Sequence, residues 1–398
     1  MSIRTSSSHP LVALGDVLES ISMGPFGSNL KVETFRESGV PVLRGGNLAG
    51  HRVDDSDTVF VTPEKAAELS RSLARPGDIV ITHRGTLGQV SLIPRDAKYP
   101  EYLVSQSQLR ITPDANQAAS EYITYWLHSR VGQQQLLSYA SQTGVPAISQ
   151  PTTSIKCLQI PLPPLETQRA IAEVLGALDG KIAANRRTID TADSLRAAIW
   201  DKATRDAHHV PLSSLAAFIN GGAFTKGASG NGRPVIRIVE MNQGVSDATV
   251  RTDLEVKDDQ VVRAGDFLMS WSGSLTTSRW FGEESILNQH IFKVIPAEGV
   301  PLWAVASAVE TKMPYFQFVA SNKATTMGHI QRHHLDEDVA WPTVTSALNL
   351  QGTALWDLAL AAERENQVLA STRDELLPLL MSGRITVGAA SSHVEEVV

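Results

Sequence analysis

The chain has 398 residues, more than a single hydrophobic core usually holds, so two or three domains are expected. Its 42% hydrophobic and 19% charged residues are typical of a globular protein and exclude a disordered one. The single cysteine, Cys157, excludes an intramolecular disulfide and favours a reducing cytoplasm. No apolar run has the length of a signal peptide or a membrane span. The net charge of −7 argues against a nucleic-acid binder, whose binding face should be basic.

The N-terminal segment, residues 1–160, has the pattern of a mixed module rich in short strands. The stretch "GDIVITHRG" (77–85) begins with a turn, continues as a short β-rich run and ends in polar residues and glycine. The stretch "SQLRITP" (107–113) predicts an alternating strand closed by proline. Residues 119–140 predict a helix. We call residues 1–160 the first module.

A long helix is predicted from Leu165 to about Arg205. Prolines 161, 163 and 164 precede it, and Glu166 lies in the first turn, where the helix dipole favours an anion. At 1.5 Å per residue it would be on the order of 60 Å long. Apolar residues recur at alternating spacings of four and three, with Asn185 as a polar interruption, which is typical of a helix packed along another helix. The predicted seam consists of Ile171, Leu175, Leu178, Ile182, Ile189, Ala192, Leu195 and Ile199.

The second half of the chain repeats the first at an offset near 185 residues, which indicates a tandem duplication. Residues 208–345 form the second module, in which 301–320 predict a helix. A second long helix is predicted from Leu350 to Met381, with Gly383 where a helix stop is expected. Its seam includes Leu355, Leu358, Leu369 and Leu376. Four pairs of segments correspond in the same order: 12–31 with 210–228, 40–48 with 233–243, 75–93 with 263–281, and 102–113 with 285–296.

The expected fold class is therefore α+β, with two mixed α/β modules separated by two long antiparallel helices that form a coiled coil. Helices of similar length in a duplicated chain favour antiparallel pairing, and a pseudo-two-fold axis would then relate the modules. The predicted segments are 1–160, the central helix 161–207, 208–345, the C-terminal helix 346–384, and a flexible tail 385–398.

The phrase "IPLPPLETQRAIAEVLGALDGKIAANRR" (160–187), together with the order module–helix–module–helix, resembles the specificity subunit of Type I restriction–modification systems. That family carries a phrase of the form PP-L-EQ-x-I-A-x-x-L-x-x-L-D-x-x-I. Thr167 separates Glu166 from Gln168, which are usually adjacent in the family. The second copy, "AWPTVTSALNLQGTALWDLAL", departs from the phrase. The matching residues are Pro163, Pro164, Leu165, Glu166, Gln168, Ile171, Leu175, Leu178, Asp179 and Ile182.

This resemblance implies two target-recognition domains, each reading one half of a split sequence in double-stranded DNA. The paired helices would set the spacing and dock two methyltransferase subunits, and restriction or translocase subunits could join them. S-adenosylmethionine, ATP and magnesium are expected on those partner subunits, with no cofactor or metal bound by this chain and no catalysis by it. The seam residues assigned to subunit docking and helix pairing are Ile171, Leu175, Leu178, Ile182, Ile189, Leu355, Leu358, Leu369 and Leu376.

Side chains that donate or accept at base edges are concentrated in loops that repeat between the halves. The loop "THRGTLGQ" (82–89) corresponds to "SWSGSLTTSR" (270–279), and our alignment places Arg84 opposite Trp271. Lys31 and Lys226 could clamp phosphates. The predicted DNA-binding residues are Ser28, Lys31, Arg44, Asn47, His83, Arg84, Thr86, Thr143, Lys226, Arg237, Asn242, Ser270, Trp271, Ser272, Lys323, Thr326, His329 and Arg332.

Two other functions compete with this interpretation. The stretch "DLEVK" (253–257) contains the Glu-x-Lys core of restriction nucleases, but patterns of three residues occur by chance. A coiled-coil adaptor whose modules bind protein is the other alternative. His329 and His333 have the spacing of a metal pair, yet no acidic third ligand is fixed nearby, which favours a polar loop that faces DNA.

Overall fold

The computed structural model describes residues 9–27, 29–141, 144–321 and 328–397. The chain divides into two compact units. The first unit comprises Met1–Asp179 and Ala370–Val398, and the second comprises Gly180–Leu369. Each long helix therefore contributes one part to each unit. Among the described residues, no helix combines the length and apolar character that crossing a membrane requires.

The strands of the first unit form two four-stranded sheets and two short pairs. One sheet has the order β2-β9-β6-β7 and is antiparallel throughout, and the other has the order β4-β3-β8-β5 with β3 and β8 parallel. The short pairs are β1 with β12 and β10 with β11. The bounds are β1 Leu11–Ala13, β2 Leu18–Met23, β3 Val40–Leu43, β4 Val59–Val61, β5 Leu73–Ala74, β6 Ile79–Thr82, β7 Val90–Leu92, β8 Tyr102–Val104, β9 Gln108–Pro113, β10 Ala140–Ser141, β11 Ala147–Ile148 and β12 Gln159–Pro161.

The second unit repeats this topology. Its sheets have the orders β14-β21-β18-β19 and β16-β15-β20-β17, with β15 and β20 as the parallel pair, and β13 pairs with β22. The predicted duplication and the α+β class are thus confirmed. The bounds are β13 His208–Pro211, β14 Ala216–Asn220, β15 Arg233–Ile236, β16 Arg251–Thr252, β17 Val261–Val262, β18 Phe267–Ser270, β19 Thr277–Arg279, β20 Ser285–Leu287, β21 Ile291–Pro296 and β22 Asp338–Trp341.

The helices largely follow the sequence pattern. The predicted helix at 119–140 is divided into α2 and α3, because Ser129 ends the first and caps the second through its side chain. Gly383 has a φ of +69°, as expected after a helix end. The bounds are α1 Pro63–Glu68, α2 Ser120–His128, α3 Arg130–Ser138, α4 Pro151–Lys156, α5 Leu165–Ala203, α6 Ile238–Gln243, α7 Leu302–Ser321, α8 Ser346–Ser382 and α9 Val387–Val397.

The prediction of a flexible tail at residues 385–398 is wrong for most of that segment. Residues Val387–Val397 form α9, in which Ala390 is fully buried. Val387, Ser391 and Val394 are half-buried and lie at the same helical spacing. One face of this short helix is thus packed, and the small polar composition of the segment concealed that face.

A similar four-residue turn precedes one inner strand of the antiparallel sheet in each module, β6 in the first and β18 in the second. In "RPGD" (75–78) the side chain of Asp78 accepts from the backbone N–H of Arg75 at 2.8 Å, and Gly77 has a φ of +98°. In "RAGD" (263–266) Asp266 accepts from the N–H of Arg263 at 2.7 Å, and its glycine has a φ of +97°. Only glycine adopts this backbone region readily, so the turn fixes where β6 and β18 begin.

In the second unit, α5 and α8 pair antiparallel. Asn185 donates from Nδ2 to Glu365 at 2.6 Å, and the guanidinium of Arg196 lies 5.6 Å from the ring centre of Trp356. Later positions on α5 thus meet earlier positions on α8. Ile182 and Leu369 are buried in this unit, as predicted for the seam.

The seam prediction is wrong at two positions of the second unit. Leu195 is 49% exposed and Leu358 is 48% exposed. The buried residues near them are Arg196, Trp356 and Ala359. The seam is therefore displaced by one position on each helix, because a paired arginine, an indole and a small alanine fill the contact in place of leucine. Ile189 and Leu355 are half-buried, whereas Ile171, Leu175, Leu178 and Leu376 are buried within the first unit.

An ionic cluster attaches the second module to the helices within the second unit. Arg279 on β19, with 4% of its side chain exposed, binds Asp193 of α5 at 3.1 Å and Glu363 of α8 at 2.8 Å. Its guanidinium also lies 4.7 Å from the ring centre of Trp356. Burial raises the pKa of the Glu363 carboxyl, and the hydrogen bonds from Arg279 oppose that shift. Removal of one member would leave an unpaired buried charge, which costs more than an exposed ion pair.

A different cluster performs this role in the first unit, and its centre is Asp179. Its carboxylate accepts from the hydroxyl of Tyr125 on α2 at 2.7 Å and from Arg373 on α8 at 2.7 Å. Nδ1 of His51 lies 3.6 Å from the same carboxylate. The ring of His51 packs 3.9 Å from that of His128, whose Nε2 donates to the carbonyl of Val90. The cluster joins one loop and three helices of this unit.

The two adjacent imidazoles predict acid sensitivity of the first unit. Burial, and then the neighbouring His128, lower the pKa of His51 from 6.5 to about 4. The folded protein therefore binds fewer protons than the unfolded chain between these values. The stability that the neutral His51 contributes is complete above pH 6.5. It is lost as the pH falls towards 4, which lowers the free energy of unfolding by at most about 3 kcal/mol.

Replacement of His51 by Gln should therefore reduce the loss of stability between about pH 7 and pH 5, as measured by urea unfolding. The control is His209→Gln, at an exposed position on β13. Equal acid sensitivity of wild type and His51→Gln would contradict the role of the cluster.

Candidate nucleic-acid interface

The polar loop at residues 82–89 connects β6 to β7, and backbone hydrogen bonds hold it in place. His83 donates its N–H to the carbonyl of Ser107 at 2.9 Å, and the N–H of Ile148 donates to the carbonyl of His83 at 2.9 Å. Gly85 donates to the carbonyl of Pro146 at 2.8 Å. The loop is thus fixed by two segments, one before β9 and one after α3.

The polar loop at residues 270–276 has the same bonds in the second module. Trp271 donates its N–H to the carbonyl of His290 at 3.1 Å, and Ile330 donates to the carbonyl of Trp271 at 3.0 Å. Gly273 donates to the carbonyl of Gly328 at 2.9 Å. Residues predicted to bind DNA occur both in these loops and in the segments that follow the module helices. The structure brings the described parts of them together in each module.

A glutamine side chain completes this arrangement in each module. Gln133 on α3 donates from Nε2 to the carbonyl of Gly88 at 3.0 Å. Gln317 on α7 donates from Nε2 to the carbonyl of Leu275 at 3.0 Å. We call the three backbone bonds and the glutamine bond of each module its loop braces.

The braces correct the alignment of the two polar loops. His83 and Trp271 occupy the same position, because each donates to the segment before the long strand and accepts from the segment after the helix. Arg84 therefore corresponds to Ser272 and not to Trp271. The isolated bridges agree, since Arg84 pairs with Ala147 and Ser272 pairs with His329.

A glycine-containing loop lies against the segment that precedes the long strand in each module. A Cβ atom on Gly24 would lie 1.9 Å from the carbonyl oxygen of Ser105, and one on Gly221 would lie 2.1 Å from that of Leu287. Only glycine allows this close backbone approach. The exposed Lys31 and Lys226 lie in the segments that follow. Phe26, at 84% exposure, is also in this loop of the first module.

Two predicted contact residues, Asn47 and Ser270, have structural roles instead. Asn47 is 3% exposed, accepts the N–H of Arg44 at 2.9 Å, and donates to the carbonyls of Asp54 and Asp57. Its equivalent, Glu240, accepts the N–H of Arg237 in the same way. The hydrogen bonds of Asn47 are therefore committed to a helical cap. Ser270 is fully buried, and its hydroxyl donates to the carbonyl of Ser274, which excludes it from a binding surface.

The two arginines that begin these caps are also partly committed. Arg44 forms an ion pair with Asp57 at 3.5 Å, with 38% of its side chain exposed. Arg237 binds Glu240 through Nε and Nη2, and this pairing holds the pKa of the Glu240 carboxyl below its usual value against the effect of burial. A base contact by either arginine would compete with these acidic partners.

The other predicted residues differ in accessibility. Ser272 is 7% exposed and its hydroxyl lies 2.8 Å from Nδ1 of His290, and His83 is also 7% exposed. Burial lowers the pKa of His83. Trp271 and His329 are half-buried, and the Trp271 indole donates to Asn220 at 2.8 Å. The exposed residues are Lys31, Arg84, Thr86, Lys226, Asn242 and Arg332. The predicted Ser28, Thr143, Lys323 and Thr326 lie outside the described residues.

The described residues do not form a nuclease site around Glu255 and Lys257 or a metal site around His329 and His333. Glu255 and Lys257 are both exposed on a surface segment of the second module. No group of three or more His, Cys, Asp or Glu side chains that could hold a metal ion occurs within the described ranges. The ring of His333 packs 4.0 Å from that of His334, and His329 pairs with Ser272.

Comparison with known proteins shows which family and which structures this chain resembles. Residues 11–192 match the family described as the Type I restriction modification DNA specificity domain. A putative type I restriction enzyme specificity subunit of Methanocaldococcus jannaschii is 25% identical over 190 residues, which are 48% of this chain. The matched region spans 44% of that relative's length.

A solved structure resembles the whole chain in fold. The S subunit of a Type I restriction–modification system from M. genitalium has a TM-score of 0.58 and 14% sequence identity. The alignment covers 96% of this chain and 98% of that one. The similarity in fold thus extends beyond residues 11–192 into the second module.

Proposed function

We propose that the chain, whose residues 11–192 match the Type I restriction modification DNA specificity domain, reads a bipartite DNA target for a Type I complex. Each module would recognise one half of the target through its polar loop. The chain itself would be non-catalytic and would act in the cytoplasm. Modification of adenine, with S-adenosylmethionine, ATP and magnesium, would belong to the partner subunits.

The observation that carries this proposal is the repetition of the loop braces around different side chains. The braces place Arg84 of the first module and Ser272 of the second at the same backbone position. A shared scaffold with different residues at equivalent positions is what two readers of two unlike half-sites require. Direct readout depends on side chains at base edges, whereas phosphate contacts only position the protein.

The exposed residues are the strongest candidates for DNA contact. Arg84 and Thr86 would face base edges from the first polar loop. Lys31 and Lys226, in the segments that follow the glycine-containing loops, would contact phosphates. Arg332 and Asn242 would add contacts in the second module, as would the half-buried Trp271 and His329.

The helices would dock two methyltransferase subunits through residues outside the seam. In the second unit Leu195 on α5 and Leu358 on α8 are each about half exposed near the level at which Arg196 packs on Trp356. Val368 on α8 is 47% exposed. Exposed apolar side chains on long helices are the expected features of a protein interface.

The acidic composition limits DNA binding by the chain alone. With a net charge of −7, the free chain would have weak affinity for a phosphate backbone. Partner subunits would supply much of the phosphate neutralisation in the complex. We therefore expect specific binding to require the methyltransferase subunits.

Exchange of one module tests the proposal. Residues 210–345 would be replaced by the same region of a relative, and the methylated sites would be mapped in cells that also produce the methyltransferase subunit. Only one half of the methylated sequence should change, because the two modules are separate units of one fold. A change in both halves would contradict modular reading, and methylation at unrelated sites would contradict target recognition.

Charged substitutions on the helices test the docking surface. Leu195→Asp and Leu358→Asp should reduce co-purification with the methyltransferase at least tenfold, because a carboxylate is costly to bury at an interface. The folded chain should survive both changes, since both positions are half exposed. Arg205→Asp, at an exposed position after α5, is the control. Unchanged co-purification of both leucine variants would place docking elsewhere.

A further inference from the structure

Arg84 is exposed on the surface of the first module, and hydrogen bonds hold its backbone in place. Its backbone N–H lies 3.3 Å from the carbonyl of Ser107, and it forms a bridge with Ala147. The next residue, Gly85, donates to Pro146 and has a φ of +90°. A Cβ atom on Gly85 would meet no atom of the described residues within 4 Å.

The guanidinium of Arg84 has no acidic partner in the described ranges, although its side chain is exposed. Two other arginines of the same unit have acidic partners: Arg44 pairs with Asp57, and Arg373 pairs with Asp179. Arg110 lies 4.0 Å from Asp78. The backbone of Arg84 is thus held from both sides, and no acidic side chain of the described residues competes for its guanidinium donors.

We infer that Arg84 recognises a guanine in the half-site read by the first module, with its planar donors on O6 and N7 in the major groove. This inference rests on the proposed function. An arginine forms two parallel hydrogen bonds with this pair of acceptors, which no other base presents in the major groove. A lysine carries the same charge but lacks the rigid fork of donors.

The equivalent position of the second module cannot make this contact. Ser272 is 7% exposed, and its hydroxyl is already 2.8 Å from Nδ1 of His290. The side chain is short and turned towards the protein, so it presents no fork of donors to DNA. The contact with guanine is therefore confined to the half-site of the first module.

The experiment uses the chain purified with its methyltransferase subunits and a DNA duplex that carries the mapped target. Each guanine of the first half-site is replaced in turn by 7-deazaguanine, which lacks the N7 acceptor. At one position this change should weaken binding of the wild-type complex about ten- to one hundred-fold. Arg84→Ala should lose a similar factor and should no longer respond to 7-deazaguanine at that position.

Two further variants separate readout from charge and from folding. Arg84→Lys should bind non-specific DNA as the wild type does while its preference for the guanine falls. Arg95→Ala is the matched control, because Arg95 is also exposed and lies at the opposite end of the β6–β7 hairpin. It should leave binding unchanged.

Three outcomes would overturn the inference. They are a first half-site without guanine, a wild-type complex indifferent to 7-deazaguanine at every position, or an Arg84→Ala variant weakened equally on all sequences, as expected of a phosphate contact. Failure of the proposed function is a different result, since the wild-type complex would then show no preference for any bipartite sequence.

Discussion

The hydrogen bonds that fix each polar loop are the constraint on which the proposed recognition depends. A free loop would lose about 1–2 kcal/mol of conformational entropy per residue when it ordered against DNA. Three backbone bonds and one glutamine bond order the loop before DNA arrives, and the same four bonds occur in both modules. Side chains at the loop tip can therefore change between modules without a change in where the backbone lies.

Partly or fully buried charges attach each module to the helices of its own unit. In the first unit Asp179 binds Tyr125 and Arg373, and in the second Arg279 binds Asp193 and Glu363. Such clusters gain little net stability over apolar packing, but they are costly to break in part. We therefore regard them as devices that hold each module in one orientation on its helices, where a purely apolar contact would permit sliding.

The sequence was sufficient to predict the duplication, both long helices and the class of fold. These features extend over many residues, so no single position decides them. Periodicity failed at Leu195 and Leu358, because hydrophobicity alone ranks leucine above the paired Arg196 and above Ala359, whose small size allows close contact. The helical tail was missed because one buried alanine among small polar residues gives almost no periodic signal.

The candidate site was predicted by region and less well by residue. The polar loops were found because they repeat, but a gap of one residue misaligned Trp271 with Arg84, and only the backbone bonds resolve it. The role of Asn47 could have been found, since Arg44 to Asn47 and Arg237 to Glu240 have the spacing of a capping box. The contacts of Asp179 join residues almost 200 positions apart, and no local pattern encodes them.

The central claim is that the braces make each polar loop an independent reader of one half-site. The most direct measurement is the sequence preference for methylation by Gln133→Ala and Gln317→Ala, each produced with the methyltransferase subunit. Gln133→Ala should relax preference in one half of the target and Gln317→Ala in the other, whereas Gln134→Ala, at the exposed neighbouring position, should keep the wild-type preference. Unaltered preference in both glutamine variants, or relaxation of both halves by either one, would contradict the account.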